Sequence, residues 1–137
     1  MPRILFLAAF FLTGCAQQMP AEELLSEYLE ISDAGLEDEF DRVLAGSALS
    51  SALGANSLMQ QLSLSQSGET EFYALEVLDD GTYAFCLDVS KTKLIDSSGD
   101  DATPTDRPLQ VPMLMRTEYL SGSSKITELD IRRFSRC

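Results

Sequence analysis

Three cysteines and no histidine bound the chemistry this chain can carry. Without histidine it lacks the commonest general base, the commonest zinc ligand and every Ser-His or Cys-His nucleophilic pair. The acidic run Asp96-Ser97-Ser98-Gly99-Asp100-Asp101 has the charge of a calcium site. It lacks the EF-hand spacing and the distal bidentate Glu, so it reads as a solvated turn, and no metal or other cofactor is expected. Arg132, Arg133 and Arg136 form a small basic cluster, expected to pair with nearby carboxylates, with an interaction patch as the other reading. Lys and Arg total 10 against 22 Asp and Glu, a formal charge of −12. Such a surface repels phosphate backbones and anionic headgroups, so nucleic acid is not an expected partner.

The first cysteine has a distinctive setting. Met1-Pro2-Arg3 gives a short positive start, Ile4 to Leu12 is uncharged and mostly large and apolar, and Thr13-Gly14-Cys15 follows directly. Nine residues at ~1.5 Å each reach about half of a ~30 Å hydrocarbon core, which suits an export signal and not a spanning helix. Leu12-Thr13-Gly14-Cys15 resembles the lipobox of bacterial lipoproteins, in which a cysteine thiol receives a diacylglyceryl group before cleavage in front of it. The resemblance implies a signal peptide over 1–14, lipidation of Cys15, a tether over 15–20 and a chain held on the outer face of a membrane. An ordinary secretory signal or a buried N-terminal helix are the alternatives. A diacylglyceryl group carries two chains, which matters because each buried methylene contributes ~0.8 kcal/mol and one chain alone binds only marginally.

With Cys15 acylated, Cys86 and Cys137 remain, an even pair in an exported chain where oxidised bridges persist. A disulfide between them is expected; two unpaired thiols, with Cys137 on a frayed terminus, is the other outcome.

The elements that must position these residues follow from hydrophobic periodicity. From Pro20, with Glu22 and Glu23 in the first turn, Leu24, Leu25, Tyr28, Leu29 and Ile31 form a helical stripe ending near Ser32 to Gly35. A second helical stretch starts at Leu36 with Phe40, Val43 and Leu44. A third, weaker one covers about Ala48 to Leu62, broken by Gly54 and Asn56. The period then changes to two. Thr70 to Leu78, the turn Asp79-Asp80-Gly81 and Thr82 to Ser90 read as a hairpin. In its second strand Tyr83, Phe85, Leu87 and Val89 alternate with Ala84, Cys86 and Asp88. A polar loop over Asp96 to Pro108 leads to a strand from Leu109 to Leu120, in which Pro112 suggests a bulge or an edge, and a last strand spans Lys125 to Phe134. The mature chain is the size of one domain, with 45% hydrophobic and 23% charged residues, as a folded chain requires. The expected class is α+β: N-terminal helices packed on an antiparallel meander.

This order of elements resembles the cone-shaped fold of nuclear transport factor 2-like proteins, also called SnoaL-like or cystatin-like. The stretches Tyr83-Ala84-Phe85-Cys86-Leu87-Asp88-Val89-Ser90, Lys91 to Ile95, Asp96-Ser97-Ser98-Gly99 and Asp106-Arg107-Pro108, with the terminal Cys137, are similar to small actinobacterial lipoproteins of unknown function. The sequence departs from them in having no Trp in its final strand. The resemblance implies a curved sheet closed by helices over residues 21–137.

A cone of this kind leaves an apolar pocket, and Tyr28, Phe40, Phe72, Tyr83, Phe85, Met113 and Met115 are its candidate lining, unless they fill the core. Isomerase relatives of the fold pair a buried Asp or Glu with a Tyr; the available actors are Tyr28, Asp33, Asp88 and Glu118. Asp88 alternates away from the aromatic face and is expected to be solvated and paired with Arg116 or Lys125. Two functions follow: a lipid-anchored binding module for an envelope protein or small hydrophobic ligand, or an isomerase-like or dehydratase-like enzyme.

Overall fold

A computed structural model describes residues 18–137; the signal segment, Cys15 and the first part of the tether lie outside the described residues. Helix α1 spans Ala21–Asp33, a 3₁₀ turn Glu37–Glu39, α2 Phe40–Val43 and α3 Gly46–Gln61. The strands are β1 (Ser65–Ser67), β2 (Glu71–Val77), β3 (Tyr83–Asp88), β4 (Lys93–Ile95), β5 (Gln110–Leu120) and β6 (Ser123–Ile131). Three helices pack on a curved antiparallel sheet of order β2-β3-β5-β6, and no closed barrel forms among the described residues. The expected α+β class is therefore the observed one.

Helix α1 buries Leu24, Leu25, Leu29 and Ile31 as its periodicity requires. It stops where Gly35 adopts a left-handed φ of +68° and Leu36 N–H reaches back to the Ile31 carbonyl. The second expected helix is shorter than its hydrophobic pattern. Leu44 turns extended so that it can bridge Ile126 of β6, and Ala45 N–H donates to the Ile126 carbonyl at 2.9 Å. Helix α3 runs unbroken through Gly54 and Asn56, contrary to the expected interruption; nothing in the structure blocks a helical path there, since a Cβ at Gly54 would meet no atom within 4 Å.

The core forms where the helical stripe meets one face of the sheet: Leu24, Leu25, Phe40, Val43, Leu44, Phe85, Met115 and Ile126 are all buried. The register places Phe85 opposite Met113 and Met115 opposite Leu129. Pro112 sits at no bulge; it pairs with Cys86 of β3 and lies one residue beyond the pairing with β6. Its carbonyl accepts from Arg132 N–H on the β6 side, where β6 has just ended, so the missing proline N–H deprives no ladder partner. The last strand stops at Ile131, short of the expected Phe134, because the chain leaves to bring Cys137 to Cys86.

Periodicity missed β1 and β4, each three residues long. They pair with each other and extend the β2-β3 hairpin past a sharp bend. The bend needs Gly68: its φ is +84°, and a Cβ there would lie 2.0 Å from the Lys91 carbonyl oxygen. Opposite it, the Arg107 guanidinium donates to the Val89 carbonyl at 2.9 Å and to the Thr92 hydroxyl at 3.1 Å, fixing the turn between β3 and β4.

Candidate functional site

The seven candidate pocket residues do not enclose one cavity. Phe40, Phe85, Met113 and Met115 are buried in the core, and Tyr28, Phe72 and Tyr83 pack against it from its rim. Three open grooves lie around that rim. The first, about 540 Å³, runs between the second half of α1 and the start of β2, with Leu29 and Phe72 in its wall. The second, about 530 Å³, lies between α1, α3 and β1 and is lined by Tyr28, Phe40, Met59 and Leu64. The third, about 280 Å³, holds Met19, Tyr83, Tyr119 and Ser124 where the chain joins the domain.

Asp33 lies between the first two grooves. At the end of α1 its carboxylate spans the hairpin bend: Oδ1 accepts from Gln66 Nε2 at 2.6 Å and from the Thr70 hydroxyl at 2.7 Å, while Oδ2 accepts from Thr70 N–H at 2.6 Å. One carboxylate thus clasps β1 and the approach to β2 to the helix. Three donors on two oxygens commit this carboxylate to holding the bend.

Five residues before Asp33, Tyr28 packs beside Phe40, ring centroids 6.4 Å apart. Burial pushes its hydroxyl above the usual tyrosine range; the Ser32 hydroxyl opposes this and the negative Asp33 adds to it. The phenol is thus held as a neutral hydrogen-bond donor. Across the second groove, Asn56 and Gln60 direct their amides to the Glu37 carboxylate, Gln60 at 3.1 Å.

Asp88 does not pair with Arg116 or Lys125. It accepts from Ser90 N–H at 2.9 Å, and the Ser90 side chain and backbone, followed by the Lys91 charge, hold its carboxyl below the usual range. Arg116 faces Glu128 at 3.2 Å, and the Lys125 ammonium donates to the Asp41 and Arg42 carbonyls. These partners sit closer because Arg116 and Glu128 are register neighbours, whereas Lys125 reaches round the β6 edge to α2. Glu118 is exposed, opposite Lys125 in the register, on the rim of the third groove. The four candidate actors are therefore not assembled: only Tyr28 and Asp33 share a groove.

The acidic loop behaves as a set of turns. Asp96 Oδ1 accepts from Ser98 and Asp100 N–H, and Asp101 Oδ1 from Thr103 N–H. Among the described residues no group of three His, Cys, Asp or Glu is arranged for a metal ion. The expected pairing of Arg132, Arg133 and Arg136 with carboxylates is not formed among the described residues. They follow β6 in the segment that carries Cys137 to Cys86. Cys86 and Cys137 stand at disulfide distance, with Cα atoms 5.7 Å apart.

No protein-family model matches the chain, and no curated protein matches it. Among solved structures it is similar to the intermembrane space region of the chloroplast protein ARC6, with a TM-score of 0.59 over 84% of this chain and 98% of that one. At 17% identity the likeness concerns the fold alone.

Sequence reasoning missed the Asp33 clasp and the Glu37-Asn56-Gln60 group. Both join residues from separate elements, and no spacing pattern announces them.

Proposed function

We propose that this chain is a lipid-anchored, extracytoplasmic module of a bacterial cell envelope that acts by binding and not by catalysis. The observation that carries the reading is the Cys86 and Cys137 pair, 51 residues apart in sequence and at disulfide distance, which suits a compartment where bridges persist. The lipobox-like Leu12 to Cys15 supplies the anchor. Met19 N–H donates to the Ser124 hydroxyl at 3.1 Å, four residues after Cys15. Four extended residues reach at most about 14 Å, so an acyl group on Cys15 keeps the β5-β6 end of the domain near the bilayer. Among the described residues no helix is long and apolar enough to cross a membrane.

The committed Asp33 carboxylate favours binding over the isomerase-like or dehydratase-like alternative, whose proton abstraction needs a free base beside Tyr28. The nuclear transport factor 2-like cone, and kinship with small actinobacterial lipoproteins, belong to the same proposal; the helices-first order supports the former and the 82–108 text the latter. The partner is an envelope protein or a small hydrophobic ligand.

Intact-mass analysis of the full chain expressed in a bacterial host tests the reading. The expected product begins at Cys15, carries a diacylglyceryl group and lacks two hydrogens at Cys86 and Cys137. An unprocessed chain or an unmodified Cys15 would overturn it.

A further inference from the structure

The two edges of the four-stranded sheet are unlike. At the β6 edge the chain caps its own ladder through Leu44 and Ala45 against Ile126. At the other edge β2 has β3 on one side and, among the described residues, no strand on the other. Helix α1 packs against α2 and β6, and the gap it leaves beside the start of β2 is the 540 Å³ groove. Leu29 and Phe72 give this groove an apolar wall, and Glu30 and Glu69 give it an acidic rim beside Glu71, whose carboxylate is paired with Lys91 at 2.6 Å. The Thr70 amide points into the space and is met by Asp33 Oδ2. The carboxylate thereby takes the position that the first carbonyl of a further strand would take. Backbone alternation directs the Phe72 amide the same way, since Glu71 and Tyr73 face Asp88 and Cys86 of β3.

We propose that the β2 edge and the α1 groove bind an extended, basic segment of another envelope protein as an added strand. This rests on the binding-module reading above and names the chemistry of its partner. Main-chain hydrogen bonds to β2 supply affinity, and alternate side chains of the segment lie over Leu29 and Phe72. The acidic rim selects Lys and Arg and rejects a second copy of this chain, whose own rim carries the same sign. The bulge between Tyr73 and Glu76, where Ala74 has a φ of +55°, ends the flat part of the edge and confines pairing to a short stretch.

Selection from a phage-displayed library of short random peptides on the mature, disulfide-bonded domain tests the proposal. An enriched sequence, made synthetically, is titrated against wild type, a Glu30→Lys/Glu69→Lys double variant and Glu22→Lys on the first turn of α1. The expected peptides carry Lys or Arg at alternating positions, bind the double variant roughly tenfold or more weakly, bind Glu22→Lys as wild type, and slow hydrogen exchange at the Phe72 amide. No enrichment, enriched peptides without basic residues, equal binding to the double variant, or protection confined to the charge-free helix α3 would each overturn it. Should the double variant not fold, salt titration of the wild-type complex replaces it: affinity falls with ionic strength, and salt-independent binding overturns the proposal. Peptide binding with Cys15 unacylated removes the anchor reading alone; acylation without peptide binding removes this inference alone.

Discussion

Asp33 is bonded to Thr70 through both carboxylate oxygens, one to the backbone N–H and one to the hydroxyl. This bidentate contact, with Gln66 added on Oδ1, ties the end of α1 to the bend that separates β1 from β2. Asp33→Ala should therefore cost about 1–3 kcal/mol, the usual range for hydrogen bonds to a partly buried charge. Asn, which keeps one acceptor oxygen, should cost less. Urea unfolding with hydrogen exchange at Thr70 checks this; an unchanged midpoint would show the clasp to be decorative.

Arg107 performs the corresponding task on the other strand of the bent hairpin. Its guanidinium serves two carbonyls and a hydroxyl around Thr92, a buried residue. Removing it strips the Thr92 carbonyl of this donor, while the Val89 carbonyl keeps the Thr92 N–H and hydroxyl, so Arg107→Ala is expected to destabilise by about 1–3 kcal/mol. Lys should recover only part of the loss, because one ammonium cannot reproduce the planar fork. Thermal unfolding of the two variants reads the difference.

Ala74 holds a left-handed φ of +55° at the β2 bulge, a position where glycine is unstrained. Ala74→Gly should raise stability by roughly 0.5–1 kcal/mol and Ala74→Val should lower it by at least as much. A destabilised glycine variant would mean that the Ala74 methyl contributes packing that outweighs its strain.

Closing a loop of 51 residues between Cys86 and Cys137 should stabilise the fold by about 4 kcal/mol on the chain-entropy account. Denaturant unfolding with and without reductant, alongside Cys137→Ser, measures it. The serine variant should match the reduced wild type, and a reduced protein as stable as the oxidised one would contradict the prediction.

Tyr28 supplies a pH dependence of definite sign. Its folded-state hydroxyl lies above the unfolded value of about 10, chiefly through burial. Stability from the neutral phenol is then fully present below about pH 10 and lost as pH rises through the folded value, because the unfolded chain ionises first. Unfolding midpoints compared between about pH 8 and 11 should fall for wild type and fall less for Tyr28→Phe. Identical profiles would remove Tyr28 as the cause.

The sequence by itself determined the helices-first, sheet-second order. The stripe from Leu24 to Ile31 and the alternation through Tyr83 to Asp88 are local patterns that burial obeys whatever the partner. Of its three cysteines, the fold brings Cys86 and Cys137 to disulfide distance. Only the tertiary structure decided where helix and strand had to end, as Leu44 breaks its helix to bridge Ile126 and β6 stops at Ile131 to release Cys137. The same holds for side chains with several possible partners. Asp88, Arg116 and Lys125 each carry a charge that the sequence shows, but register put Glu128 beside Arg116, and the end of β3 turned Asp88 to Ser90, two residues on. Asp33 is the clearest case. Sequence marked it as one of four candidate actors, and a bend that needs Gly68, more than thirty residues away, made it a clasp.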